Sequence, residues 1–319
     1  MDEKIVVIGG GTGISAILRG VKKYSKNISA IVAMTDDGGG SGILRQDLGM
    51  LPPGDVRNCL VALANTEPAM EKLFQYRFEV GSLEGQNFGN IFIAALNNIY
   101  GSFDAALREI GNVLKITGRV IPVTLENVHL VAKFANGDKC IGESIIPKMS
   151  YKLDTEILEV SLFPNIPQAN KKAIDAILEA DKVILGPGSL YTSIIPNLVV
   201  DGISQALYDT KAKKIYVANA MTQKGETNSY KIRDHIKAIE KHSFKNIIDI
   251  CLIDNHNISQ EVLEQYLIKD KSKRITMEEE DITFCSNRHI EIVLDDFVEV
   301  VDGYIRHNGE KVAEIIIKA

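Results

Sequence analysis

Apolar residues along this chain alternate between two textures. Short β-branched runs are followed by stretches whose apolar positions recur every three or four residues. That alternation predicts an α/β fold, a Rossmann-like, mostly parallel sheet with helices on both faces. Lys4 to Ile8 reads as a buried strand, and Ile14, Ile17, Leu18 and Val21 share one face of the helix after it. Ile28 to Met34 reads as the second strand, with Asp36 at its end. From about Asn165 the same texture returns. It predicts strands at 182–185, 214–218, 247–253 and 290–294, and helices near 168–180, 201–209, 229–241 and 259–268. Asn308-Gly309 offers a hairpin turn, but Val312, Ile315 and Ile316 repeat at helical spacing and favour a terminal helix capped by Asn308.

Two segments interrupt the alternation. Residues 35–54 carry no regular pattern and are dense in glycine and proline, so a loop-rich insertion with short helical pieces is expected. Long loops in compact domains are usually functional. Helices then dominate from Asp55, read as a cap, to about Leu114. Asn90 to Asn98 is apolar almost all round, which predicts a fully buried helix; Ser102 should cap the next one, with Asp104 in its first turn. Between 119 and 163 the period changes to two. Arg119 to Leu125 and Val128 to Phe134 alternate, and Asn136-Gly137 signals a type I′ hairpin before Lys139 to Glu143. This is read as a small antiparallel β insertion or subdomain, at 119–163, within a single α/β domain spanning 1–319.

Composition narrows the function. The 319 residues are 45% hydrophobic and 24% charged, enough for a sizeable core. A net charge of -6 and the absence of Trp argue against nucleic acid as a partner. The basic run Lys269, Lys271, Lys273 and Arg274 is broken by Asp270 and Ser272 and reads as a solvated loop. The four cysteines have no C-x-x-C spacing, and three of them, in apolar surroundings, read as core thiols. No apolar run is long enough to span a membrane, and charges begin at Asp2, so neither span nor leader is expected and the reading is cytoplasmic. The six histidines lack zinc-ligand spacing; His235 and His242 read as a solvated helix face.

Candidate chemistry gathers where strands end. Gly9-Gly10-Gly11-Thr12-Gly13 lies between the first strand and a helix, whose N-terminal N–H groups suit a phosphate. Gly11-x-Gly13-x-x-Ala16 satisfies the dinucleotide fingerprint, and Asp36 stands where a ribose-binding acid belongs, so NAD stays open as a ligand. No Gly-Lys-Ser/Thr closes the loop, which argues against a P-loop triphosphatase. Asp36 and Asp37, in a glycine-rich segment with Ser41, could hold Mg²⁺ if one is used; otherwise no metal is expected. Asp55 and Arg57 follow Pro52-Pro53-Gly54, and Arg57 suits a carboxylate or phosphate. Gly186, Pro187, Gly188 and Ser189 follow a strand and form a second phosphate-type loop, near Thr192. Asn219, Met221 and Thr222 follow another strand, and Asp254-Asn255-His256-Asn257 a third. No catalytic residue stands out.

Seven motifs occur in order: Gly9-Gly10-Gly11-Thr12-Gly13, Asp36-Asp37-Gly38-Gly39, Pro52-Pro53-Gly54-Asp55-Val56-Arg57-Asn58-Cys59, Asn87-Phe88-Gly89-Asn90, Gly186-Pro187-Gly188-Ser189-Leu190-Tyr191-Thr192-Ser193, Asn219-Ala220-Met221-Thr222-Gln223 and Arg306-His307. Over nearly the whole chain this strongly resembles the YvcK-type gluconeogenesis factors of bacteria. They are related to CofD, the 2-phospho-L-lactate transferase of deazaflavin coenzyme synthesis. The resemblance implies a CofD-like fold and a cytoplasmic protein needed for growth on gluconeogenic carbon sources and for normal cell shape. It also implies nucleotide-sugar binding, UDP-N-acetylglucosamine in particular, with no reaction established for that branch. Gly10 to Gly13 and Gly186 to Ser189 would take phosphate, and Arg306 would pair with a diphosphate. The family's expected Arg-His-Asp is replaced by Arg306-His307-Asn308, which loses a charge.

Three readings follow. The favoured one is a regulator that binds a nucleotide sugar and couples carbon flux to wall synthesis, with cell-wall synthesis proteins as partners and a homodimer as its form. The second is a CofD-like Mg-dependent transferase using a nucleotide diphosphate substrate, and the third an NAD(P)-binding oxidoreductase. If backbone N–H groups hold the anionic ligand, no basic excess is required.

Overall fold

The computed structural model describes residues 2–319; Met1 and the side chain of Thr12 lie outside the described part. The first unit is β1 (Ile5–Gly9), α1 (Gly11–Val21) and β2 (Ile28–Val32). There follow α2 (Gly39–Leu48), α3 (Gly54–Leu63), α4 (Pro68–Gln75), α5 (Phe88–Tyr100), α6 (Phe103–Val113) and β3 (Arg119–Pro122). A second group comprises β4 (His129–Phe134), β5 (Lys139–Ile141), α7 (Ile146–Leu153) and β6 (Ile157–Phe163). The α/β alternation resumes with α8 (Lys171–Leu178), β7 (Lys182–Leu185), a π-helical turn at Leu190–Ile194, α9 (Ile195–Leu198), α10 (Ile203–Asp209) and β8 (Lys213–Val217). It continues through α11 (Ile232–Lys241), β9 (Ile250–Asp254), α12 (Gln260–Asp270), α13 (Glu279–Ser286) and β10 (Glu291–Asp295). The hairpin β11 (Val298–Val301) and β12 (Tyr304–His307) precedes α14 (Gly309–Lys318).

Seven strands form one parallel sheet in the order β10-β9-β8-β7-β1-β2-β3. Counted along that sheet alone, the order is the Rossmann order with one strand added, and it reverses between β1 and β7. β1 and β2 are buried throughout, as strands covered on both faces must be. Ile14, Ile17, Leu18 and Val21 of α1 are fully buried, each contributing about 1.5–3 kcal/mol of transfer free energy. On its outer side α1 meets α14, where Gly20 and Gly309 let the two backbones approach; a Cβ at either would collide with a carbonyl.

Several expectations need correction. Arg119 to Pro122 belongs to the main sheet, paired parallel with β2, so its alternation marks an edge strand and not the antiparallel group. The antiparallel sheet is β5-β4-β6, with α7 between β5 and β6. Its hairpin forms where expected, but Phe134 N–H bonds to Asp138 across a three-residue loop in which Gly137 takes φ 94°, unlike a two-residue type I′ turn. Residues 39–48 are a regular helix despite three glycines, ended by Gly49 in the left-handed region. In α5, Ile93 and Ala94 are buried while Ile99 is 71% exposed, so this helix lies at the periphery. The N-cap position of α3 is Pro53; Asp55 is the second residue of the helix and its carboxyl serves the start of α1. β2 ends at Val32, four residues before Asp36. His235 is buried and bonds Lys231 O through Nδ1; His242 bonds Ala238 O and accepts from Val160 N–H, tying α11 to β6. Sequence periodicity gave no sign of α13 or of the β11–β12 hairpin.

Ser102 caps α6 and Asn308 caps α14, as expected. All four cysteines are buried. Among the described residues no helix is long and apolar enough to cross a membrane.

Candidate functional site

The chain reversal between β1 and β7 leaves a crevice beyond their carboxyl ends. On one side, Gly10 is extended and Gly11, at φ 63°, opens α1 directly. On the other, Gly186, a cis Gly186–Pro187 bond and Gly188, at φ 157°, turn the chain out of β7. Gly13 touches the Pro187 carbonyl so closely that any Cβ would clash, so its hydrogen lets the two turns meet. Asn219, just beyond β8, donates Nδ2–H to Gly188 O at 2.8 Å and accepts from Gly188 N–H at 3.2 Å. The crevice these turns open measures about 360 Å³. Gly10, Gly11, Gly13, Pro187, Gly188, Ser189, Asn219, Met221 and Thr222, all expected from sequence, line it together. Ser193, Ala220, Gln223, Tyr266, Ile305 and His307 complete the wall. Among the described residues the lining holds hydroxyls, amides, a phenol and an imidazole, and no Asp, Glu, Lys or Arg.

The other expected residues, Gly186, Asp36, Asp37, Ser41, Asp55, Arg57, Asn90, Thr192 and Arg306, are not in this lining. Thr192 is buried and its hydroxyl donates to Glu226 Oε1 at 3.0 Å, while Tyr191 N–H donates to Glu226 Oε2 at 3.1 Å. Glu226 thereby holds the π-helical turn from below, and desolvation pushes its pKa up to about 7. Arg306 lies between Ile305 and His307 on β12; with a period of two, those neighbours reach the crevice and Arg306 does not. It stands opposite Glu299 on β11.

A second cluster adjoins the first through Asp55. Its carboxyl takes the Gly11 N–H, so that donor at the helix N-terminus is already spent. A Cβ at Gly10 would stand 2.6 Å from Asp55 Oδ2. Desolvation, then the nearby Asp36, push the Asp55 pKa up to about 7, against Gly11 and Arg57. Asp36 Oδ1 accepts from Gly38 N–H at 2.9 Å, and its other oxygen faces Gly54 beside Ser41. Asp37 turns to the antiparallel group, accepting from Ser144 N–H at 2.8 Å. Glu143 accepts from the Thr35 hydroxyl, and burial together with Asp55, Asp36 and Asp37 holds it well above the ordinary range. Among the described residues no three acidic, His or Cys side chains are arranged to hold a metal ion. Arg57 donates to Asn90 Oδ1 at 3.1 Å and Asn58 Oδ1 at 2.7 Å, so it braces α3 on α5 outside the crevice. Arg45, not singled out from sequence, is buried nearby and bonds Val128 O.

A family model described as 2-phospho-L-lactate transferase CofD matches residues 5–298. The chain belongs to the CofD family. It is 49% identical over 314 residues to a "Putative gluconeogenesis factor" of Thermoanaerobacterium thermosulfurigenes, covering 98% of this chain and 96% of that one. It is 40% identical over 315 residues to a gluconeogenesis factor of Bacillus subtilis, covering 98% and 97%. A crystal structure of a Bacillus halodurans protein superposes with a TM-score of 0.94 at 40% identity, covering 99% of this chain and all of that one.

In this CofD-family chain, the motif Asp254-Asn255-His256-Asn257 contributes structure. Asp254 Oδ1 accepts from Phe297 and Val298 N–H at 2.8 Å each, and Oδ2 accepts from His256 N–H and pairs with Arg274. Arg274, expected in a solvated run, is thus drawn inward beside Met221. This network anchors the segment entering the β11–β12 hairpin, whose second strand supplies Ile305 and His307 to the crevice. His307 Nε2 lies 3.1 Å from Ala218 O, and burial lowers its pKa, so Nε2 carries the proton of a neutral ring. Tyr266, from α12, donates nothing that local sequence marks; only the fold brings it in.

Proposed function

We propose that this chain is a cytoplasmic regulatory protein that binds a nucleotide sugar of the UDP-N-acetylglucosamine type. It supports growth on gluconeogenic carbon sources and maintenance of cell shape, and works with cell-wall synthesis proteins. The observation that carries this reading is the crevice at the reversal of strand order, walled by two glycine turns and uncharged polar groups. A diphosphate there meets the remaining N–H groups of the first turn of α1, Gly11 being held by Asp55 and Gly188 by Asn219, and the Ser189 and Ser193 hydroxyls, without a lysine or arginine in the wall. The loop from Asn219 to Gln223, with Tyr266, supplies the donors and acceptors that a base or sugar needs. The names of the relatives in Thermoanaerobacterium thermosulfurigenes and Bacillus subtilis support the role in gluconeogenic growth.

A CofD-like transferase is the second reading, favoured by the acidic cluster against the same turn. In it Asp36 and Asp55 would share a Mg²⁺ ion with the ligand's diphosphate, and the ion would supply Lewis-acid charge. Thermal shift with UDP-N-acetylglucosamine, GDP and NAD, each with and without Mg²⁺, separates the readings. The regulator reading expects the largest shift from the UDP-sugar without Mg²⁺. No shift with any UDP-sugar overturns it, and diphosphate cleavage seen by phosphorus NMR supports the transferase.

A further inference from the structure

A second cavity, of about 390 Å³, shares no lining residue with the crevice but borders the same π-helical turn. Tyr191 of that turn lines it, together with Tyr230, β6 at Ile157 and Leu158, and α11 at Ala238. The Tyr191 and Tyr230 hydroxyls are 2.7 Å apart. One phenolic proton is spent between them, and the other remains to be donated. Burial raises both phenols, so the pair stays neutral.

The charges around this cavity are unevenly matched. Asp234 and Lys237 neutralise each other at 3.3 Å. Lys241 uses one of its donors on the Leu158 carbonyl at 2.6 Å and has no acidic partner among the described residues. Glu156, close enough to both phenols to raise them, has no basic partner among the described residues. A purely anionic molecule would meet Glu156 unfavourably, and a purely cationic one Lys241. A molecule with one charge of each sign suits both, and its side chain meets the tyrosine pair or the apolar wall of Ile157, Leu158 and Ala238. We propose that this cavity is a second small-molecule site, and that it takes a small zwitterion of the amino-acid class. The proposal is independent of what the crevice binds.

Saturation-transfer NMR on the full chain tests it, with L-serine, L-glutamine, L-leucine and L-lysine as probes and acetate and ethylamine as single-charge controls. At least one amino acid should bind saturably with Kd near or below about 1 mM, and neither control should. Glu156→Gln and Lys241→Met, both at solvent-exposed positions, should leave the unliganded melting temperature in place and each weaken that binding about tenfold, the value of one charge-assisted hydrogen bond. Absence of binding by all four amino acids overturns the proposal. Binding that survives both substitutions places the probe elsewhere and also overturns it, as does equal binding of acetate or ethylamine.

Discussion

Asp55 gives the account a pH dependence with a definite sign. Its carboxyl is pushed up to about 7 by desolvation and by Asp36, whereas an aspartate in the unfolded chain titrates near ~3.9. Between those values the folded chain holds a proton that the unfolded chain has released. Stability therefore falls as pH rises through this window, and the loss is complete above the folded value. The shift of about three pH units sets an upper limit of ~4 kcal/mol; Asp55 keeps some solvent contact, so about 2–3 kcal/mol is expected. Asp55→Asn fixes the uncharged state while keeping an oxygen for the Gly11 N–H. It should exceed the parent in stability by about 2–3 kcal/mol above pH ~8 and show no such advantage below pH ~4. Urea unfolding of both proteins across that range measures it; contributions from Glu226, which Asp55 does not shift, cancel in the comparison, while Glu143, raised in part by Asp55, adds to the difference. The same linkage reaches binding. An anion at the α1 N-terminus favours neutral Asp55, so UDP affinity should decline as pH rises past about 7 in the parent and stay level in the variant. Equal stability of the two proteins at pH ~8 would refute the reasoning.

Asn219→Ala removes both bonds to Gly188 and should cost about 1–3 kcal/mol in urea unfolding while weakening any crevice ligand in calorimetry. Asp254→Ala deprives Arg274 of its carboxylate, leaving it two backbone carbonyls, and strands three backbone N–H groups; it should cost about 3–5 kcal/mol and speed hydrogen exchange at Phe297 and Val298. His242 must be neutral to accept from Val160 N–H while donating to Ala238 O, and burial lowers its folded pKa. Its contribution is therefore lost as pH falls below the ordinary ~6.5, and His242→Phe should flatten the decline in melting temperature between pH ~7 and ~5.

The sheet was legible from sequence because parallel strands covered on both faces are continuous apolar runs, and β1, β7 and β8 stand within a residue of their expected positions. Glycine turns were legible for the same local reason: Gly11, Gly186 and Gly188 occupy φ values that other residues resist. Side-chain direction was not legible. Thr192 lies in the right motif, yet Glu226, far along the chain, claims its hydroxyl. Arg306 lies beside two crevice residues, but strand alternation turns it away. Glu143, Arg45 and Tyr266 carry no local signal, because their place at the site depends on pairings across the fold. His235 and His242 show the converse: helical spacing gives a shared face but not what packs against it.

Hydrogen exchange with and without UDP-N-acetylglucosamine tests the central claim most directly, since it reads the backbone N–H groups said to hold the phosphates. Saturating ligand should slow exchange at residues 10–13 and 188–193 and around 219–223, and leave α5 and α6 unchanged. Ligand-independent exchange in the two glycine turns, or protection confined to another part of the chain, would contradict the account.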